Sequence, residues 1–156
     1  MGLRDRWLGT KYPDSDVVPR SAAEVRDALL AVGGPHVPYR VRNAMTSEKA
    51  DVVGEWWLQT TEEGRRVDRR LRIRMRLDPS GREIRALQEQ WTATSGTLFA
   101  SREYGRGSGF TAQWTYEKGP DGRRRKVKTL DTRDMRNALR EAALGAGWTW
   151  RGVFRL

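Results

Sequence analysis

The chain has 156 residues, enough for one domain with a sizeable core, and 37% of them are hydrophobic, including seven Trp, four Tyr and three Phe. It has no Cys, which excludes disulfides and thiolate chemistry and gives no reason to expect an oxidising compartment. The net charge of +10 suits contact with polyanions.

That charge is uneven. Residues 65–76 and residues 118–140 each carry +6, which leaves the remainder at −2. Arg outnumbers Lys 25 to 5, the bias a high-GC genome writes on any solvated face. A charge cluster is therefore a pointer to binding and not a proof of it. No apolar run approaches the length of a membrane span. The opening Met1–Leu8 lacks the continuous apolar core of a secretory signal. The cytoplasm is the expected location, with no membrane partner.

Residues 1–20 read as an irregular lead-in containing Pro13 and Pro19, pinned through Trp7 and Leu8. A single α+β domain is expected over residues 21–156. Ser21 and Glu24 have the spacing of a capping box, and Val25, Ala28, Leu29 and Val32 form one apolar stripe, so a helix starts here. Gly33-Gly34-Pro35 ends it. His36, the single histidine, lies in the following turn and has neither a second His nor a Cys to complete a metal site.

Strands follow. Tyr39–Met45 alternates, and Val52–Thr61 sets Trp56 and Trp57 on opposite faces. A turn at Glu62–Arg65 leads into the most regular segment of the chain. Over residues 69–77, Leu71, Ile73, Met75 and Leu77 face one way and Arg70, Arg72, Arg74 and Arg76 the other. Asp78-Pro79-Ser80-Gly81 is the next turn, leading into a strand over Arg82–Ala93. A loop with a short strand near Leu98–Ser101, a strand over Phe110–Tyr116, a turn at Gly119–Gly122 and a basic strand over Arg124–Leu130 come next. Asp131 or Thr132 caps a second helix carrying Met135, Ala138, Leu139, Ala142 and Ala146 on one side, ended by Gly145 or Gly147. Trp148–Leu156 is a final strand with Trp148, Trp150, Gly152, Phe154 and Leu156 on one face.

Consecutive strands joined by tight turns are antiparallel neighbours. The expected fold is a curved antiparallel sheet of about six or seven strands with both helices packed against one face. Turn lengths set the expected register. A loop over residues 62–65 places Thr61 opposite Arg66, Glu55 opposite Arg72 and Trp57 opposite Arg70. A four-residue loop at Asp78–Gly81 places Leu77 opposite Arg82, Arg76 opposite Glu83 and Arg70 opposite Glu89, and leaves Arg74 least paired. Opposite charges across strands and Arg over Trp then neutralise much of the ladder.

No reactive constellation emerges. Glu55, Glu83 and Glu89 are explained as partners for Arg, no nucleophile elbow sits between strand and helix, and Gly105–Gly109 leads into a strand where phosphate loops open onto a helix. No catalytic residue, metal ligand or cofactor is assigned, and the favoured reading is a non-enzymatic binding or interaction domain. The final aromatic strand is a candidate edge for pairing with a second copy or a protein partner. A second reading is polyanion binding through Arg70, Arg72, Arg74, Arg76, Arg123, Arg124, Arg125 and Lys126. The aromatic and glycine motif of base-stacking sheet modules is absent, so nucleic acid is not the favoured ligand. A third is a small-ligand protein or enzyme with a pocket lined by Trp57, Trp91, Trp114, Trp148 and Trp150.

Three stretches, Val37-Pro38-Tyr39-Arg40-Val41-Arg42, Arg74-Met75-Arg76-Leu77-Asp78-Pro79 and Gly145-Ala146-Gly147-Trp148-Thr149-Trp150-Arg151-Gly152-Val153, together resemble an uncharacterised family of bacterial proteins from high-GC genomes. The resemblance runs from the first helix to the C-terminus, and Trp148-Thr149-Trp150-Arg151-Gly152 is its most specific part. It implies a stand-alone bacterial domain and carries no activity, cofactor or functional residue.

Overall fold

The computed structural model describes residues 3, 9–94, 101–104, 113–118, 124–131 and 133–156, with side chains for all of these except Glu62 and residues 101–130. Among the described residues two helices, α1 (Ala22–Leu30) and α2 (Arg133–Gly145), accompany eight strands: β1 (Arg40–Asn43), β2 (Val52–Glu62), β3 (Arg65–Asp78), β4 (Glu83–Thr94), β5 (Ser101–Tyr104), β6 (Gln113–Lys118), β7 (Arg124–Leu130) and β8 (Thr149–Gly152). Trp7, Leu8, the Gly105–Gly109 run, the Gly119–Gly122 turn and Arg123 lie outside the described residues.

The architecture is α+β, with an open, mixed main sheet in the order β1-β2-β3-β4. The sheet is five strands wide, not six or seven. β5 and β8 share the outer edge of β4, β5 antiparallel along Glu89–Thr92 and β8 parallel along Glu83–Ala86. Among the described residues β6 and β7 pair with each other as a separate two-stranded sheet. An all-antiparallel sheet is therefore also corrected. β8 follows a helix, and a crossover of that kind frees a strand to run parallel to its neighbour.

Alternation along β3 separates the faces as expected. Leu71, Ile73 and Met75 are buried against Val52 and Trp56 of β2, Ile84 and Ala86 of β4, Val25 and Leu29 of α1, and Met135, Leu139 and Ala143 of α2. Each large apolar side chain removed from water contributes about 1.5–3 kcal/mol. Gly54 lies where α2 crosses the sheet: a Cβ there would sit 3.2 Å from both Leu139 Cδ1 and Met135 Sδ. Its missing side chain lets helix and sheet approach.

The local signals explain the element ends. Ser21 Oγ accepts the Glu24 N–H at 3.3 Å and the Glu24 carboxylate accepts the Ser21 N–H at 3.2 Å, completing the capping box. Asp131 starts α2 by accepting the Arg133 N–H at 3.0 Å. Beyond α2, Gly147 takes a left-handed φ of 77° while the Trp148 N–H reaches back to the Ala143 carbonyl at 3.0 Å. The final strand is shorter than expected: Trp148 precedes it, and Phe154, past its end, is 55% exposed and off the core face.

The lead-in is tied down by its backbone. Lys11 and Trp150 exchange two hydrogen bonds, at 2.8 and 2.9 Å, and the Arg20 N–H donates to the Ala146 carbonyl. Lys11 thereby occupies part of the outer edge of β8, which the sequence offers as an edge for a partner strand.

Candidate functional site

The face of the sheet opposite the helices carries the arginines. The β2–β3 register is as expected: Thr61 faces Arg66, Glu55 faces Arg72 and Trp57 faces Arg70. The hairpin closes through Glu63 and Gly64, with φ of 50° and 76°, the backbone of a two-residue turn that follows strand twist.

The β3–β4 register differs from expectation by two residues. Arg82 adopts a left-handed φ of 48° and belongs to the turn, so pairing begins at Asp78 opposite Glu83. Asp78 closes that turn by accepting the Ser80 N–H, the Ser80 hydroxyl and the Gly81 N–H. Leu77 consequently faces Ile84, Arg76 faces Arg85, Arg72 faces Glu89 and Arg70 faces Trp91. A shift of two keeps every side chain on its face but changes its partner.

Arg74, expected to be least paired, is among the most firmly held. Its Nε donates to Glu89 and its Nη1 to the Glu48 carbonyl at 2.8 Å. Arg72 Nη2 donates to the other Glu89 oxygen at 2.9 Å. Arg70 Nη2 donates at 2.8 Å to Glu55, which also accepts from Arg42 at 3.1 Å. Arg42 grips Glu48 with two parallel bonds at 2.7 and 2.9 Å. The sequence Arg70–Glu55–Arg42–Glu48–Arg74–Glu89–Arg72 is thus one continuous hydrogen-bonded network, joined between Glu48 and Arg74 through the Glu48 backbone carbonyl.

Glu48 and Arg42 are the members that sequence reasoning missed. Arg42 was visible in the alternation of β1, which places it beside Val53 on the arginine face. Glu48 lies in a short 3-10 turn, Thr46–Glu48, outside every strand, and no cross-strand register points to it. The apolar floor of the face is also part of the design. Val53 and Leu87 are the cross-strand neighbours of Arg74 and are buried.

The electrostatics follow from these contacts. The paired Arg42 guanidinium, opposed by burial, holds the Glu48 carboxyl down at about 2. Burial pushes Glu55 up, but Arg42 and Arg70 together bring it below its ordinary value. Glu83 follows the same pattern, burial being outweighed by Arg151 and Arg85. Glu89 is fully buried. Glu55 and Glu89 are both engaged by arginine, Glu55 by Arg42 and Arg70 and Glu89 by Arg72 and Arg74. Among the described residues, no three potential ligand side chains gather to hold a metal ion, and no helix is long and apolar enough to cross a membrane.

At one end of the face the network meets two tryptophans. The Arg70 guanidinium carbon lies 4.5 Å from the Trp57 ring centre and 5.1 Å from that of Trp91, and Arg72 lies 4.8 Å from Trp91. The order Trp57–Arg70–Trp91–Arg72 is a stack of alternating aromatic and cationic planes. The Nε atoms of Arg70 and Arg72 are buried without a hydrogen-bond acceptor, consistent with planes faced by indole rings. The Arg72 end is closed by buried Glu89. The Trp57 end is open, with Trp57 67% exposed. A concavity of about 580 Å³ lies there, its lining including Trp57, Gln59, Arg66, Asp68, Arg70 and Trp91.

The remaining expected site residues divide clearly. Trp148 and Trp150 are core, at 1% and 3% exposure, with the Trp148 indole N–H donating to the Arg20 carbonyl at 2.8 Å. Neither is among the residues that line the concavity beside Trp57 and Trp91. Arg76 is exposed at the opposite end of the ladder from Trp57, facing Arg85. Arg124, Arg125 and Lys126 are backbone positions of β7, and Trp114 of β6; their side chains lie outside the described set. Comparison of the chain with models of known families, with curated proteins and with solved structures finds no match.

Proposed function

We propose that this protein is a non-enzymatic binding domain, and that its ligand surface is the corner where Trp57, Arg70 and Trp91 stack. The observation that carries the reading is the open end of that stack. A tryptophan held by a guanidinium on one side and 67% exposed presents a rigid flat surface above a concavity. Its volume is in the range of small-molecule sites, about 300–1,000 Å³. Such a corner suits a ligand that contains a planar ring. The engaged state of Glu55 and Glu89 supports binding over catalysis. Membership of the high-GC bacterial family and a cytoplasmic location belong to the same proposal, on the sequence stretches quoted above.

The test is an indole N–H titration by NMR with planar anions such as nucleoside monophosphates. The Trp57 and Trp91 resonances should move while those of Trp56, Trp148 and Trp150 stay. Trp57→Ala should abolish the response without lowering the melting temperature. Unmoved Trp57 and Trp91 signals at millimolar ligand would refute the reading.

A further inference from the structure

We infer that the ring-bearing ligand of this corner is single-stranded nucleic acid, with a base stacked on the open face of Trp57. The inference rests on the binding reading above and names its ligand. Every base has a flat face, and base–aromatic stacking tolerates any sequence. A duplex offers no such face, because its bases are already stacked on one another.

Two features favour a strand over an isolated ring. First, the arginine face continues past Trp57. Gln59 with Asp68 and Thr61 with Arg66 follow on the same side, extending it by about 13 Å at roughly 3.3 Å per residue. Second, the concavity is lined by three arginines, Arg66, Arg69 and Arg70, against Asp68, with Glu55 bonded to Arg70 from behind. The Arg66–Asp68 pair, at 3.1 Å, has side chains 60% and 47% exposed. Exposed guanidinium and aromatic groups together are the ingredients of a groove that follows a single-strand backbone.

The same geometry argues against the duplex reading of the ladder. Arg70, Arg72 and Arg74 are bonded to Glu55 and Glu89, so a row of phosphates would have to displace buried carboxylates. Four phosphate contacts on a duplex give a slope of log K against log salt near −3.6. Two or three contacts on a single strand give about −1.4 to −2.1.

The experiment is fluorescence anisotropy with a labelled single-stranded 12-mer. Its arms are the same sequence as a duplex, heparin as a polyanion without bases, and a mononucleotide. The single strand should bind most tightly, with a salt slope in the shallower range. Trp57→Ala should weaken it about 5- to 150-fold, the value of one stacked base, and Trp57→Phe should restore most of the loss. Equal competition by duplex and heparin, together with unchanged binding of Trp57→Ala, would overturn the inference in favour of bare charge. A mononucleotide that moves the Trp57 signal while the 12-mer binds no tighter would overturn the inference and leave the ring-binding reading standing. Silence in every arm would remove both.

Discussion

Replacing Glu89 by Gln keeps the side-chain shape and removes one charge from the centre of the network. Glu89 is fully buried and bonds both Arg72 and Arg74, whose side chains are only 16% and 17% exposed. The loss leaves two poorly solvated guanidinium groups short of an anion. Breaking a buried pair from one side costs about 3–5 kcal/mol. A domain of this size loses roughly 2–4 °C of melting temperature per kcal/mol, so Glu89→Gln should melt about 6–20 °C lower. Circular dichroism melts at pH 7 measure this. The comparison is Asp68→Asn, which removes a partner of Arg66 at the exposed end of β3. Exposed pairs contribute about 0–1 kcal/mol, so its shift should stay below about 4 °C. Raising the salt should erase the Asp68 effect and leave most of the Glu89 effect, since buried charges are weakly screened. The triple change Glu89→Met, Arg72→Leu, Arg74→Met should recover most of the lost stability, because apolar residues of similar volume replace buried ion networks at little cost. If Glu89→Gln melted within 2 °C of the parent, the claim that buried charge organises this face would be wrong.

Three further outcomes are expected. The Glu48 carboxyl sits at about 2 against an ordinary 4.5, so its contribution is present above pH 4.5 and disappears as pH falls towards 2. Denaturant titrations should show Glu48→Gln less stable than the parent by about 3 kcal/mol at most at pH 7, with the gap closing near pH 2; a gap constant with pH would contradict the assignment. Gly147→Ala places a Cβ 2.7 Å from Pro19 Cα on a backbone with φ of 77°. It should cost about 2 kcal/mol or more in the same titrations, and a neutral result would exclude this packing. Ser21→Ala removes one half of the capping box and should cost about 1 kcal/mol, read as a drop of about 2–4 °C.

The parts of the fold legible in the sequence were those governed by local period and symmetric turns. The alternation of residues 69–77 assigns both faces of β3. The Glu62–Arg65 connection gives the β2–β3 register whether its loop is counted as two residues or four, because both counts share one centre. The second turn was not legible to that level. A left-handed Arg82 is steric behaviour expected of Gly or Asn, and it moved Glu89 from Arg70 to Arg72 and Arg74. The direction of β8 was hidden for another reason: alternation of Trp148, Trp150 and Gly152 says which face is buried and nothing of parallel or antiparallel. Trp56 and Trp57 show the same limit. Adjacency places them on opposite faces, but only the docking of the helices decides that Trp56 is core, at 2% exposure, and Trp57 is the accessible ring.

The parallel seating of β8 beside β4 has a consequence for biosynthesis. The Glu83–Ala86 half of β4 acquires its outer neighbour from Thr149–Gly152, which leaves the ribosome roughly 3–13 s later at ~5–20 residues per second. Throughout that interval a row of amide and carbonyl groups beside Ile84 waits without its native complement. The nascent chain is then open to pairing with a neighbouring polysome product, so a holding chaperone should raise the yield of folded protein more than a lower growth temperature does.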